Sequence, residues 1–308
     1  MRAFRPAFLF VKTSGLTIMV IYYIAIRHTI YSLAYSDPSP THQEVKLMEI
    51  ISSRTNEKIK QAAGLAENAS LRRSTGLFLL EGARLCADAA GSGVKIARVF
   101  ATRKAIEKYP NYLSLIQKNA EECYEITPEV AAKLSETRSD QGVFCVCEML
   151  DNSMQADKIN SCGRYIALEN IQDPANLGAV CRTAEALGID GIVAGGGCDV
   201  YNPKALRAAM GSSLRMPIFK TDALSAFLKQ ASEAGVRCVA FVLDGDPDVF
   251  SSINGAQGII CVIGNEGAGI TAQTRAVCSD SALIPMKGKA ESLNAAAGAA
   301  IVMWELVR

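Results

Sequence analysis

The stretch that decides the fold runs Tyr165-Ile166-Ala167-Leu168, then Asn170-Ile171-Gln172-Asp173-Pro174-Ala175-Asn176-Leu177-Gly178, and on through Arg182 to Leu187. Apolar residues in a row indicate a buried strand. Leu177, Val180, Cys181, Ala184 and Leu187 then recur at helical spacing. The spacing predicts a helix over 177–187, with Asn176 placed to cap it. On a helical wheel Arg182 lies nearly opposite the apolar stripe. There it is either a solvated surface residue or one free to point into a cleft.

The same alternation continues to the C-terminus. Strands are expected at 165–168, 191–194, 238–243, 259–263 and 282–284, and helices at 177–187, 203–210, 223–234 and 293–306. Nearly unbroken apolar strands separated by helices argue for a parallel sheet covered on both faces. Such sheets bind ligands beyond the C-terminal ends of their strands. The loops after Leu168, Leu243, Ile263 and Ile284 are therefore the places for chemistry.

Upstream, residues 48–150 form a small α/β domain, with helices expected at 56–67, 83–90 and 112–119 and strands at 76–80, 96–101 and 142–147. The polar segment 151–164 is the expected linker to a second domain over 165–308. Residues 1–47 differ from the rest. Their apolar run, Leu16 to Ile26 between Lys12 and Arg27, is shorter than the ~20 residues of a membrane span but suits a signal-peptide core. With no clean cleavage site after it, a dispensable extension is expected, with Met48 as a candidate start and a signal anchor as the alternative.

Composition narrows the chemistry. The 308 residues carry 32 basic and 31 acidic side chains, a net charge of +1. A nucleic-acid partner would thus have to be held by local patches, not by bulk charge. Both histidines, His28 and His42, lie in the extension, which excludes Ser-His-Asp, Cys-His and histidine-metal chemistry from the two domains. The ten cysteines show no CxxC pair, so reduced thiols of a cytoplasmic protein are expected and no metal site.

Two further motifs follow strands. Gly264-Asn265-Glu266-Gly267-Ala268-Gly269 has the glycine order G-x-x-G-x-G, not the G-x-G-x-x-G of dinucleotide folds, and comes late in its domain. Its glycines either bring backbone close to a ligand or simply make a tight turn. Ile284-Pro285-Met286-Lys287-Gly288 leads to Glu291-Ser292-Leu293-Asn294, with Ser292 a natural cap for the last helix. That helix opens Ala295-Ala296-Ala297-Gly298-Ala299-Ala300, small enough for very close packing on a neighbour.

Together the three motifs resemble the signatures of the SpoU (TrmH-type) RNA ribose 2′-O-methyltransferases of the SPOUT superfamily. Asn202-Pro203-Lys204 through Gly211-Ser212 to Pro217 is similar as well. Residues 48–148 more loosely resemble the ribosomal-protein-like substrate-binding domain often found ahead of that fold. One departure is that Ala295 and Ala296 stand where members often have valine and serine. The resemblance implies a parallel sheet with a deep trefoil knot, a homodimer with both subunits near each site, and S-adenosylmethionine as cofactor. By the same resemblance, Leu243, Gly264, Ile284, Met286 and Leu293 line the cofactor pocket. Arg182 is the favoured catalytic group, as base or orienter, and Asn176, Glu266, Ser292 and Asn294 complete the polar site, although Glu266 could instead cap its own loop. RNA contacts are expected from Arg54, Lys58, Lys60, Arg72, Arg73, Lys287 and Lys289.

The implied reaction is ribose methylation of RNA, ribosomal RNA of the large subunit first and transfer RNA next, with no DNA or membrane partner. A nicotinamide-dependent oxidoreductase is the competing enzyme class, but Leu168-Glu169-Asn170-Ile171 lacks the glycine fingerprint it needs after the first strand. A catalytically silent RNA-binding protein is the non-enzymatic alternative, against which Arg182 and Asn294 stand.

Overall fold

The computed structural model describes residues 48–137, 141–150 and 159–308. The expectations for residues 1–47, and most of those for the linker, lie outside them.

The first part contains β1 (Glu49–Ile51), α1 (Glu57–Glu67), α2 (Ala69–Thr75), β2 (Leu77–Glu81), α3 (Ala83–Gly91), β3 (Ile96–Thr102), α4 (Arg103–Lys108), α5 (Pro110–Asn119), β4 (Ala120–Ile126), α6 (Pro128–Leu134) and β5 (Val143–Glu148). Its five-stranded sheet runs β1-β4-β3-β5-β2, parallel from β1 to β3 and antiparallel at β5. Apolar residues alternate across it. Leu79, Phe100, Tyr124 and Val146 meet Ile59 and Leu65 of α1 and Val130 and Leu134 of α6. Phe78, Leu80, Val99 and Cys145 point to the other face, where α3 and α5 lie.

The second part contains β6 (Arg164–Glu169), α7 (Pro174–Leu187), β7 (Gly191–Gly195), α8 (Pro203–Ala209), a 3-10 turn (Ser212–Leu214), β8 (Ile218–Thr221), α9 (Leu224–Glu233), β9 (Arg237–Asp246), α10 (Pro247–Ser252), β10 (Ile259–Ile263), α11 (Ala272–Ala276), β11 (Asp280–Ala282) and α12 (Ala295–Val307). Six strands pair in the order β11-β9-β10-β6-β7-β8, all parallel as expected. Tyr165, Ala167, Ile260 and Val262 pack under Phe227 and Leu228 of α9. Ile166, Leu168, Cys261 and Ile263 face α7, α8 and α12, in an apolar core that continues into the face of the first sheet that carries α3. Burial on both faces is why β6, β7 and β10 run almost unbroken in apolar residues.

From β6 the chain moves outward through β7 to β8. It then returns to the other side for β9, slots β10 against β6, and ends at the far edge in β11. Successive connections therefore diverge between β6 and β10. A crevice at such a switch point is where open α/β sheets hold ligands.

Several boundaries differ from the sequence expectations. Asp173 caps α7, its Oδ1 accepting from the Ala175 backbone N–H at 3.0 Å, and Pro174 fills the first helical position. Asn176 therefore lies inside the helix and is not its cap. Asn294, not Ser292, caps α12, accepting from the N–H groups of Ala296 and Ala297 at 3.0 and 3.2 Å. The last strand ends at Ala282, so Ile284 belongs to the following loop. The closest helix contact is also elsewhere than in α12. A Cβ on Gly298 would meet only Ile284 Cδ1, at 3.8 Å, whereas one on Gly178 would stand 2.5 Å from the Ala205 carbonyl oxygen and the Ala208 Cβ.

Candidate active site

Three loops meet at the C-terminal edge of β6 and β10. The first, from Asn170 to Asp173, leaves β6 with Asn170 in the left-handed region at φ 54°, a conformation asparagine tolerates. The second, from Gly264 to Ile270, folds back on itself. Asn265 and Gly269 exchange backbone hydrogen bonds of 3.0 Å, and a Cβ on Gly264 would fall on the Gly269 carbonyl group. Gly264 is thus required by its own loop. The third, from Leu283 to Leu293, is the approach to α12.

Side chains stitch these loops together. Glu266 Oε1 accepts from Asn176 Nδ2 at 2.9 Å, and Asn176 Oδ1 accepts from Asn294 Nδ2 at 3.0 Å. Glu266 Oε2 accepts the Gln172 backbone N–H at 3.3 Å. Asn294 spends its own oxygen on the start of α12, so one chain of bonds runs from the second loop through α7 to the last helix. Asn176 is buried in it. Partial burial pushes the Glu266 carboxyl up, but hydrogen bonds from Asn176 and from the backbone of Glu266, Gln172 and Asp173 outweigh it and leave the pKa below the ordinary value. Glu266 is therefore ionised at neutral pH. Its other partners lie in the first loop and α7, while Asn265 caps the second loop, accepting from Gly267 and Ala268 N–H at 2.9 Å each.

The sequence reading missed three supports of this cluster. Asn265 donates to the Asn170 carbonyl at 2.8 Å. Gln172 donates to Asn170 Oδ1 at 2.7 Å. Glu169, at the end of β6 and only 7% exposed, accepts from Thr271 N–H and from the hydroxyls of Thr271 and Thr274 at 2.6–2.9 Å. A carboxylate closing an apolar strand was the available signal, since buried charge demands partners. What remained illegible was which donors, far along the chain, would supply them.

The structure brings Asn176, Glu266 and Asn294 together, but not Arg182 or Ser292. Arg182 is exposed and bonded to nothing among the described residues. It lies roughly 9 Å further along α7 than Asn176 and on a different face. Ser292 is exposed in the third loop. Of the expected RNA contacts, Arg72 is excluded. It is buried, with Nε on Asp199 at 2.7 Å and Nη1 on the carbonyls of Leu65 and Ala66. Lys58 pairs with Glu122 and Lys60 with Glu57, while Arg54, Arg73, Lys287 and Lys289 are exposed.

The expected cofactor wall is apolar and open. Leu243, Met286 and Leu293 are 62%, 36% and 39% exposed, unusual for such side chains. Beside them, the backbone N–H groups from Ile284 to Leu293 find no backbone partner among the described residues. Apolar side chains next to free backbone donors and acceptors fit a ligand with a flat heteroaromatic ring and a polar tail, as S-adenosylmethionine has. Leu243 lies within β9, whose extension to Asp246 carries it beyond the neighbouring β10.

An all-parallel α/β sheet with its polar cluster at the C-terminal ends of β6 and β10 is the arrangement in which open α/β enzymes hold nucleotide-type cofactors. The comparisons with known proteins narrow it. Residues 163–304 match the SpoU rRNA Methylase family and residues 56–145 the MRM3-like substrate binding domain. The chain is 30% identical over 261 residues to the 23S rRNA (guanosine(2553)-2′-O)-methyltransferase RlmP of Bacillus subtilis (strain 168), covering 84% of this chain and 99% of that protein. It is also 30% identical over 266 residues to the 23S rRNA (uridine(2479)-2′-O)-methyltransferase of Streptomyces viridochromogenes, covering 84% and 91%. Among solved structures, the AdoMet-bound rRNA methyltransferase of Sinorhizobium meliloti superposes with a TM-score of 0.74 at 27% identity, over 84% of this chain and 97% of that one. The chain belongs to the SpoU rRNA methylase family.

Proposed function

We propose that this protein transfers a methyl group from S-adenosylmethionine to a ribose 2′-hydroxyl of large-subunit ribosomal RNA. The observation that carries the reading is the bonded chain Glu266–Asn176–Asn294, which holds three loops around the β6–β10 switch point beside an open apolar wall. When bound, S-adenosylmethionine supplies a methyl group already activated by its sulfonium charge. What is asked of the protein is placement of the attacking oxygen. Leu243, Met286 and Leu293 offer an apolar seat, and the backbone around Gly264 and Ile284 offers polar contacts. Arg182 orients the ribose and its phosphate. It does not act as a base, because guanidinium stays protonated in proteins. Ser292 lies close enough in sequence to Asn294 to join the substrate side of the site.

The separation of Arg182 from the polar cluster of its own chain supports a homodimer in which two copies build each site. Ile301 and Trp304, 40% and 59% exposed, form an apolar stripe on α12 suited to such an interface. We further propose a cytoplasmic location, the deep knot implied by the resemblance, a linker over residues 151–164 between substrate-binding and methyl-transfer domains, and a dispensable segment 1–47. No helix among the described residues is long and apolar enough to cross a membrane.

The test is a map of ribose methylation across total RNA from cells with and without the gene, followed by transfer with purified protein and unmodified 23S rRNA. Loss of one rRNA 2′-O-methyl group, restored in vitro, is the expected result. A missing methyl group in transfer RNA instead would move the substrate, and no missing ribose methylation would sink the reading.

A further inference from the structure

The contact between the two sheets contains a buried ion pair. Arg72 of α2, 2% exposed, meets Asp199, whose side chain is 10% exposed, at 2.7 Å. The pair is embedded on both sides. Arg72 Nη1 also bonds the carbonyls of Leu65 and Ala66, which end α1, at 2.7 and 3.0 Å. Asp199 Oδ1 accepts the Tyr201 N–H at 3.0 Å and faces Lys220 Nζ at 3.7 Å. Tyr201 packs on Phe78 of β2, with ring centroids 4.7 Å apart, and its hydroxyl bonds the backbone of Leu150 at the end of the first part.

Asp199 does not sit on a passive surface. Its loop leaves β7 directly behind the first catalytic loop. The Cys198 N–H bonds the Ile171 carbonyl at 2.8 Å, and the Asn170 N–H bonds the Gly195 carbonyl at 2.8 Å. Gln172, the next residue after Ile171, donates its N–H to Glu266. A path of direct bonds therefore runs from Arg72, through Asp199 and its loop, to the loop that frames Asn176 and Glu266.

We propose that Arg72 and Asp199 are positioning residues for methyl transfer, fixing the sheet that would receive the RNA in one orientation against the catalytic loops. The assignment rests on the RNA methyltransferase reading above. Buried charge is costly unless paired, and removing one partner leaves the other uncompensated. An exposed surface contact would have sufficed merely to tether the two sheets. A buried guanidinium fork with three bonds fixes an angle as well as a distance. RNA held by the first sheet would then present its acceptor ribose at a set place, and small misplacements of reacting groups cost rate steeply.

Asp199→Asn keeps the shape of the side chain and removes its charge. With the full chain and unmodified 23S rRNA, we expect at least about a tenfold loss in kcat/KM, with KM for RNA raised. The Kd for S-adenosylmethionine should stay within about twofold, because its wall lies at Leu243, Met286 and Leu293. Hydrogen exchange should show α2 and residues 196–202 opening while β6 and β10 stay protected. Lys220→Met, at the exposed rim of the same pair, should behave as wild type. If Asp199→Asn does not fold, Arg72→Lys, which retains the charge but not the fork, takes the same measurements. The proposal is overturned if transfer to rRNA is unchanged although exchange shows the contact opened, or if cofactor binding falls in step with transfer, the mark of general destabilisation. If the wild-type protein methylates no rRNA, the functional reading fails. The exchange experiment still decides whether this pair docks the two sheets, and wild-type protection in Asp199→Asn would overturn that too.

Discussion

Asn176 and Arg182 lie on one helix, six residues apart, and their surroundings are opposites. Asn176 is buried, with both ends of its amide engaged by Glu266 and Asn294. Arg182 is exposed and bonded to nothing among the described residues. The same division runs through the whole site. Glu169, Asn265, Glu266 and Asn294 are tied into the framework, whereas Ser292, Lys287, Met286 and Leu293 face outward. Groups of the first kind set geometry, and their loss costs structure as well as function. Groups of the second kind have nothing to do in the free protein, so their loss should be felt only when substrate arrives.

The sharpest way to break that contrast is Arg182→Ala. Removing an exposed, unbonded side chain should leave thermal melting and S-adenosylmethionine binding nearly unchanged. Single-turnover transfer to rRNA should fall by about two orders of magnitude or more, as for loss of one positioned catalytic donor. Arg182→Lys should rescue only partly, since an ammonium lacks the planar fork. Near-normal transfer by the alanine variant would make Arg182 a surface residue and leave the chemistry to the tied group.

A framework change should do the reverse. Gly178, on the same helix between the two residues, faces α8 so closely that a Cβ would stand 2.5 Å from the Ala205 carbonyl oxygen and 2.8 Å from the Ala209 nitrogen. Neither backbone can give way cheaply. Gly178→Ala should destabilise by about 1–3 kcal/mol, as for overpacked cores, seen as a lower Tm. Gly298→Ala, whose Cβ would make only an ordinary 3.8 Å contact, is the matching control and should melt like wild type.

Much of this arrangement could be read from the sequence, and the failures have physical causes. The inner strands of the parallel sheet were legible because β6, β7 and β10, buried on both faces, are nearly unbroken apolar runs, whereas the short edge strand β8, with Lys220 exposed, was not. Strand β4 was not, because Glu121, Glu122 and Glu125 interrupt it. Two of those carboxylates are held by Lys58, Arg98 and Arg103 from other elements, which no local pattern reveals. Asn176, Glu266 and Asn294 were named as site residues through the family resemblance, while their mutual bonds, across separations of 90 and 118 residues, came only from the fold. Arg72 and Arg73 look alike in sequence. Only the α2 geometry sends the first inward to Asp199 and leaves the second in solvent.

Glu266 tests the tied half more gently. Glu266→Gln can still accept from Asn176, but its new NH2 group would oppose the Gln172 N–H. One framework bond is lost, and transfer should drop about tenfold, the cost of an unmade hydrogen bond. The pH dependence has a definite sign. The folded pKa is below the ordinary glutamate value, so this carboxylate's contribution to stability is present above the unfolded pKa of about 4.3. It is lost as pH falls through the lower folded value. The variant should lose that acid-limb component, measured as Tm against pH below about pH 5.

The smallest effect belongs to the outward half. Lys287 is exposed in the loop before α12, next in sequence to Met286 of the proposed cofactor wall, and forms no ion pair among the described residues. Nothing in the free protein depends on it, so Lys287→Ala should leave Tm and the Kd for S-adenosylmethionine unchanged. If it meets an RNA phosphate, its removal releases one fewer counterion on binding. The slope of log Kd for rRNA against log salt should then shrink by about one, with affinity falling a few-fold at low salt and less at high salt. Lys58 and Lys60, already occupied by Glu122 and Glu57, should give smaller slope changes when replaced. An unchanged slope for Lys287→Ala, with the Arg182→Ala defect intact, would confine the outward-facing functional groups to Arg182 and the apolar wall. A change in Tm would instead move Lys287 into the framework and blur the line between the two halves.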